Sequence, residues 1–186
     1  MPSKFPRAVR WTALALAAFL VGYAGMRFGR SLRERSATTV AEPPSFPFKL
    51  GQTFPDVALV DSLGNTVRSV DLVSAHGAVV LLVETDCDGC TDMSIRWEQT
   101  LADGFFDPTR VFAVSRATRD ANNAFRAANH LSFPIYQDAD DAFVQKYSVL
   151  SYPLEVVVGQ SGTIRSLSDD SVSPVDGDAV RQLMTE

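Results

Sequence analysis

The chain has 186 residues, is 46% hydrophobic and 21% charged, and carries a formal net charge of −5. That length and apolar share suit one ordinary domain with a single core and exclude a disordered or low-complexity chain. The charge is unevenly placed: residues 1–35 hold seven Lys/Arg and one acid, which leaves −11 on residues 36–186 and argues against nucleic acid as a partner.

Lys4, Arg7 and Arg10 precede an uncharged apolar stretch from Trp11 to Met26, and Arg27, Arg30, Arg33 and Arg35 follow it. As a helix, residues 11–26 would rise about 24 Å. That is slightly short of a hydrocarbon core of roughly 30 Å, so the flanking arginines would snorkel. Residues 1–35 therefore read as an uncleaved signal anchor that places residues 11–26 in the membrane. The alternative, a cleaved secretory signal, has only Gly22-Tyr23-Ala24 as a weak site, and cutting there would leave a very basic start. With a short tail before it and a large domain after it, the expected topology is a single pass with the domain translocated. Residues 36–48, with Pro43-Pro44 and Pro47, read as an extended linker, and residues 49–186 as the domain.

Within the domain, Val57-Ala58-Leu59-Val60 and Thr66-Val67-Arg68-Ser69 flank a Gly64-Asn65 turn and predict a β-hairpin. Ala78 to Val83 is an unbroken aliphatic run, as expected for a strand buried on both faces. Thr91 to Ala102 lacks Gly and Pro and puts Met93, Trp97 and Leu101 on one helical stripe. Val111 to Val114 predicts a second core strand, and Arg119 to Asn129 a helix with Ala121, Phe125 and Ala128 on its apolar face. There follow a strand at Phe133 to Tyr136, a short helix at Ala142 to Tyr147, and a strand within Tyr152 to Val158. A Gly159–Gly162 turn leads to a strand at Thr163 to Leu167, and Gly177 to Met184 closes as a helix. Parallel β-α-β followed by an antiparallel hairpin and a last helix is an α/β sandwich. Trp97 and Phe125 read as core residues.

The only two cysteines, Cys87 and Cys90, fall between the first core strand and the helix that follows it. A thiolate at a helix start gains from unpaired backbone N–H groups and the positive end of the macrodipole, which lower its pKa and make it a usable nucleophile. Cys90, one turn further in, is placed to resolve a mixed disulfide. Inert buried thiols give no reason for this spacing or placement. A closed zinc site needs about four ligands; His76 and His130 are isolated in sequence, so no metal is expected.

These motifs together resemble the thioredoxin superfamily, and within it the membrane-anchored, redoxin-like thiol-disulfide oxidoreductases of bacterial envelopes, of the cytochrome c maturation and methylamine utilisation accessory types. The likeness runs from about Leu50 to Met184. It rests on Gly51-Gln52-Thr53-Phe54-Pro55-Asp56, Leu63-Gly64-Asn65, the Cys87–Cys90 pair, Phe133-Pro134-Ile135, Gln137-Asp138-Ala139-Asp140, Tyr147-Ser148-Val149, Tyr152-Pro153 and Gln160-Ser161-Gly162-Thr163-Ile164. It implies a thioredoxin-like three-layer α/β/α sandwich with an N-terminal β-hairpin, preceded by one transmembrane helix in the bacterial inner membrane, with the domain facing the periplasm. It also implies a redox-active Cys87–Cys90 disulfide with no other cofactor, protein thiols or disulfides as partners, and a cis bond before Pro153, with Tyr152 and Pro153 binding substrate chain.

The sequence departs from that pattern at several positions. Glu84-Thr85-Asp86 stands where the family has an aromatic and small residue, and Val80 and Glu84 occupy the Pro and Thr positions of the peroxiredoxin motif, which makes peroxidase activity an alternative rather than the expectation. Copper-delivery relatives use a spacing one residue longer plus a distant histidine. Asp86 and Asp88 flank Cys87 and disfavour its thiolate, which predicts a couple on the reducing side. Glu84 is a candidate proton shuttle to Cys90, with a solvated strand-end carboxylate as its alternative. The non-enzymatic alternative is a tethered binding module with a structural disulfide.

Overall fold

The computed structural model of the protein describes residues 46–73, 76–169 and 173–185. The segment read as an anchor, residues 11–26, and most of the linker lie outside the described residues. Among the described residues no helix is long and apolar enough to cross a membrane.

A seven-stranded mixed sheet organises the domain in the order β2-β1-β5-β4-β3-β6-β7. The strands are β1 (Ala58–Val60), β2 (Thr66–Arg68), β3 (Ala78–Leu82), β4 (Val111–Ser115), β5 (Ile135–Gln137), β6 (Leu154–Val158) and β7 (Ile164–Ser168). β3 runs parallel to β4 and antiparallel to β6, with Leu82 opposite Val114 on one side and Leu154 on the other. Every residue of β3, β4 and β6 is buried, which explains why these three runs are aliphatic rather than alternating.

Among the described residues five α-helices cover the sheet: α1 (Ser69–Val73), α2 (Asp88–Ala102), α3 (Arg119–Ala128), α4 (Ala142–Tyr147) and α5 (Gly177–Thr185). Successive β3 residues point to opposite faces. Val79, Leu81 and Val83 meet Cys90, Met93, Trp97 and Leu101 of α2, Phe125 of α3, and Val180 and Met184 of α5. Ala78, Val80 and Leu82 meet Val73 of α1 and Ala142 and Phe143 of α4 on the other face. The stripe expected on α2 and the core placement of Trp97 and Phe125 are thus as the periodicity indicated. Phe48, assigned to the linker from its prolines, is 2% exposed and packs edge-on against Phe143, with ring centroids 6.3 Å apart. Fully burying such a side chain contributes about 1.5–3 kcal/mol.

One local difference from the sequence reading has a clear cause, and one expected short helix shows what holds it. Ser69 does not extend the hairpin but starts α1, because its buried Oγ accepts the Val57 N–H at 2.9 Å and donates to the Pro55 carbonyl at 2.6 Å. The short helix α4 forms because both carboxylate oxygens of buried Asp138 accept its first N–H groups, from Ala142 and Phe143, each at 2.9 Å. One-turn helices of this kind hold through such caps rather than through propensity.

One charged side chain lies in the three fully buried strands β3, β4 and β6. Glu155 of β6 is 8% exposed, and its Oε2 accepts from Trp97 Nε1 at 2.8 Å and Arg96 Nη2 at 3.0 Å. Both donors belong to α2, and Arg96 Nη1 also donates to the Ser173 carbonyl at 2.7 Å, so this cluster joins β6, α2 and the segment leading to α5.

The turn into β3 depends on Gly77, at φ 68°, where an added Cβ would lie 2.7 Å from the carbonyl oxygens of both Met184 and Val158. Gly104, at φ 77°, has nothing within 4 Å of such a Cβ. Gly104→Ala is therefore expected to lower unfolding free energy by about 1–2 kcal/mol, the left-handed backbone penalty alone, and Gly77→Ala by about 3–4 kcal/mol, both read from urea unfolding. Equal losses at the two positions would show that the backbone approach at Gly77 contributes nothing.

Candidate active site

The carboxyl end of β3 delivers the chain to the two cysteines. Cys87 is the N-cap of α2, in extended conformation at φ −117° and ψ 117°, and its carbonyl accepts the N–H groups of Cys90 and Thr91, each at 3.1 Å. Cys87 and Cys90 form a disulfide with their Cα atoms 5.2 Å apart. Cys90 is fully buried among the side chains of α2 and β3, whereas Cys87 is half-buried at the surface. The accessible sulfur is thus the one at the helix N-terminus.

Two backbone donors point at the sulfurs. The Cys90 N–H donates to Cys87 Sγ at 3.1 Å, and the Glu84 N–H donates to Cys90 Sγ at 3.3 Å. After reduction the same N–H groups would stabilise thiolates, on top of the dipole of a fifteen-residue helix. Asp86 and Asp88 are exposed on either side of Cys87. The Glu84 carboxylate, read from the sequence as a candidate proton shuttle to Cys90, accepts from Arg116 Nε at 2.6 Å. Its main-chain N–H is the group that touches the Cys90 sulfur.

Tyr152 and Pro153 reach the same place from the other side of β3. The Tyr152–Pro153 bond is cis, as the family resemblance implied. Leu154 pairs with Leu82, which sets Pro153 at the level where β3 ends. The Tyr152 ring packs against the cluster that contains Cys90, as does Cys87. Arg116, just past β4, stacks its guanidinium over that ring, with Cζ 5.5 Å from the centroid. Arg116 had no signal in the sequence: it lies 32 residues from Glu84, and only the β3–β4 pairing brings the two together. Among the described residues no three His, Cys, Asp or Glu side chains come together in a metal-binding group.

Burial pushes the Tyr152 phenol up to about 12, with the Glu84 carboxylate adding to the rise and Arg116 opposing it. The neutral phenol therefore stabilises the fold fully below the ordinary value of 10, and that contribution is lost as pH climbs toward about 12. Tyr152→Phe is expected to flatten this part of the alkaline fall in thermal midpoint and to remove the last phenolate to appear in an absorbance titration. An unchanged alkaline profile in Tyr152→Phe would rule out the assignment.

The AhpC/TSA family profile matches residues 50–167. No curated protein sequence matches the chain. Among solved structures the chain is similar to the thioredoxin domain of a thiol-disulfide oxidoreductase from Bacteroides vulgatus, at 15% identity and TM-score 0.61, over 74% of this chain and 99% of that one. It is similar to a secreted Mycobacterium tuberculosis disulfide oxidoreductase homologous to Escherichia coli DsbE, at 18% identity and TM-score 0.54, over 69% and 93% respectively. It is also similar to the peroxidoxin BcpB of Mycobacterium tuberculosis, at 19% identity and TM-score 0.56, over 74% and 96%. At these identities the likeness establishes the thioredoxin-like fold. The family match spans more than half of the sequence, and the chain belongs to the AhpC/TSA family of the thioredoxin superfamily.

Proposed function

We propose that this redoxin is a membrane-tethered thiol-disulfide oxidoreductase whose reduced Cys87–Cys90 pair exchanges with protein disulfides on the extracytoplasmic side of a bacterial inner membrane, acting as a reductant. Thiol-disulfide oxidoreductase activity follows from the family and from the disulfide itself. The tether is supported by the apolar run of residues 11–26 and its basic flanks, and the location by the topology expected of such an anchor. The observation that carries the mechanism is the asymmetry of the pair: a half-buried Cys87 at a helix N-cap and a fully buried Cys90 three residues on.

In the reducing direction the Cys87 thiolate attacks one sulfur of a partner disulfide. A Cys87–partner bond forms, the partner's S–S bond breaks, and the partner's second sulfur leaves as a thiolate that takes up a proton. Cys90 then loses its proton and attacks Cys87 Sγ, forming the internal disulfide and releasing the partner as a dithiol. Two electrons pass from the Cys87–Cys90 dithiol to the partner. Tyr152 and Pro153 are assigned the contact with the partner chain, a role supported by the family resemblance and by the packing of Tyr152 on the cluster that holds Cys90.

A peroxide-reducing reading is favoured by the family match and by the likeness to a peroxidoxin. The burial of Cys90 and the absence of the Pro and Thr of the peroxidatic motif at Val80 and Glu84 weigh against it. A peroxide-consumption assay with the reduced protein separates the two readings.

Cys90→Ser should accumulate mixed disulfides through Cys87 in membrane preparations, and in the reduced wild type Cys87 should be alkylated at least about tenfold faster than Cys90. Equal reactivity of the thiols, or a disulfide that does not exchange with dithiothreitol in the folded state, would instead support a structural disulfide in a binding module. A separate fractionation tests the tether: the full chain should sediment with membranes and resist carbonate extraction, and recovery of a mature form starting near Gly25 would overturn the anchor.

A further inference from the structure

Arg116, Glu84 and Tyr152 stand at the ends of β4, β3 and β6, which are adjacent in the sheet. The Glu84 main chain is fixed to the Cys90 sulfur at 3.3 Å, so its carboxylate stays within one side chain's length of the disulfide. That carboxylate is 15% exposed, whereas Asp86 and Asp88 lie in solvent, where the high dielectric of water weakens their charge. Left unpaired, Glu84 would be the carboxylate least screened from the sulfurs, and it would disfavour a thiolate there. Arg116 Nε meets it at 2.6 Å while the same guanidinium covers the Tyr152 ring.

Other charges around the pair are already committed or distant in effect. Asp138 is held by the N–H groups of α4. Asp141, from the start of α4, acts weakly on both Arg116 and Tyr152. The ion pair is the charged contact that links the strand end beneath Cys90 to the loop ahead of Pro153.

We propose that Arg116 is a positioning residue that sets the acidity of the Cys87 thiol: it cancels the Glu84 carboxylate beside the sulfurs and, through Tyr152, ties the Tyr152–Pro153 loop to the end of β3. This rests on the reading of Cys87–Cys90 as a redox couple and adds to it the group that tunes the couple. The guanidinium works through its neighbours and takes no part in the exchange. Losing it uncovers an anion, and losing Glu84 uncovers a cation, so the two losses act on the thiolate in opposite directions.

The test is the pH profile of Cys87 alkylation in the dithiothreitol-reduced full chain. Arg116→Gln should raise the Cys87 pKa by about one unit and Glu84→Gln should lower it by about as much. The double variant should return close to wild type, and Arg116→Lys should fall between Arg116→Gln and wild type. In equilibrium with glutathione, Arg116→Gln should be the more reducing, each tenfold change reading as about 30 mV. Shifts of the same sign in both single variants, or none in either, overturn the proposal, since a purely structural contact would not produce opposite shifts that cancel. Should Arg116→Gln fail to fold, Glu84→Gln decides alone, and an unchanged or raised pKa there overturns it. A wild type that does not exchange with glutathione would strike the oxidoreductase reading and leave the alkylation profiles to judge Arg116; normal exchange with unmoved profiles would strike only Arg116.

Discussion

Cys87 stands where a partner can reach it because the chain stops being sheet at Leu82 and starts being helix at Asp88. β3 is held on both sides by hydrogen-bonded neighbours and on both faces by apolar clusters, so its end point has little freedom. The residues from Val83 to Asp86 span the gap, and the Val83 N–H still bonds to the Val114 carbonyl at 3.0 Å. The two strands that pin β3 meet at its end, where Tyr152 packs on the cluster that holds Cys90 and Arg116 lies over the Tyr152 ring. A shift of β3 by one residue would turn its aliphatic faces over and move the cysteines, so the packing that gives stability also fixes the chemistry.

Apolar packing alone does not decide how α2 lies on the sheet, because burial is non-directional. The Glu155 cluster supplies direction. A charge taken out of water costs several kcal/mol unless it is paired and hydrogen-bonded, and Glu155 is served by Arg96 and Trp97 on consecutive positions of α2. Any rotation of the helix that kept Met93 and Leu101 buried but turned Arg96 away would strand the carboxylate. The cluster thus adds an angular constraint to the helix whose first turn carries the disulfide, which explains a glutamate in a strand that is otherwise aliphatic.

Much of this architecture is legible in the sequence because periodicity reports burial. The runs at β3, β4 and β6 announce strands covered on both faces, and the spacing of Met93, Trp97 and Leu101 announces the helix behind Cys90. The start of α2 at Asp88 rather than Thr91 is a capping effect, set by the Cys87 carbonyl and sulfur, and capping leaves no periodic trace. α1 is also missed for this reason, since buried Ser69 holds its start through bonds to backbone. Within the site, Cys87 and Cys90 are visible from their spacing, and Tyr152–Pro153 from the family pattern. Arg116 is not, because an ion pair between the ends of neighbouring strands has no signature along either strand.

The influences on the Cys87 thiolate differ in reach. The Cys90 N–H at 3.1 Å and the helix terminus are built into the backbone, and they act whenever α2 is folded. Asp86 and Asp88 oppose them from solvent, where the high dielectric of water leaves each with a modest effect. Glu84 differs from both because it is mostly covered, so its charge would act nearly unscreened if Arg116 did not meet it. The acidity of Cys87 is then a balance between a fixed backbone field that favours the thiolate and a set of carboxylates of which the least screened one is already neutralised. That ordering places most of the control in the ends of three adjacent strands, with the surface aspartates making a smaller correction.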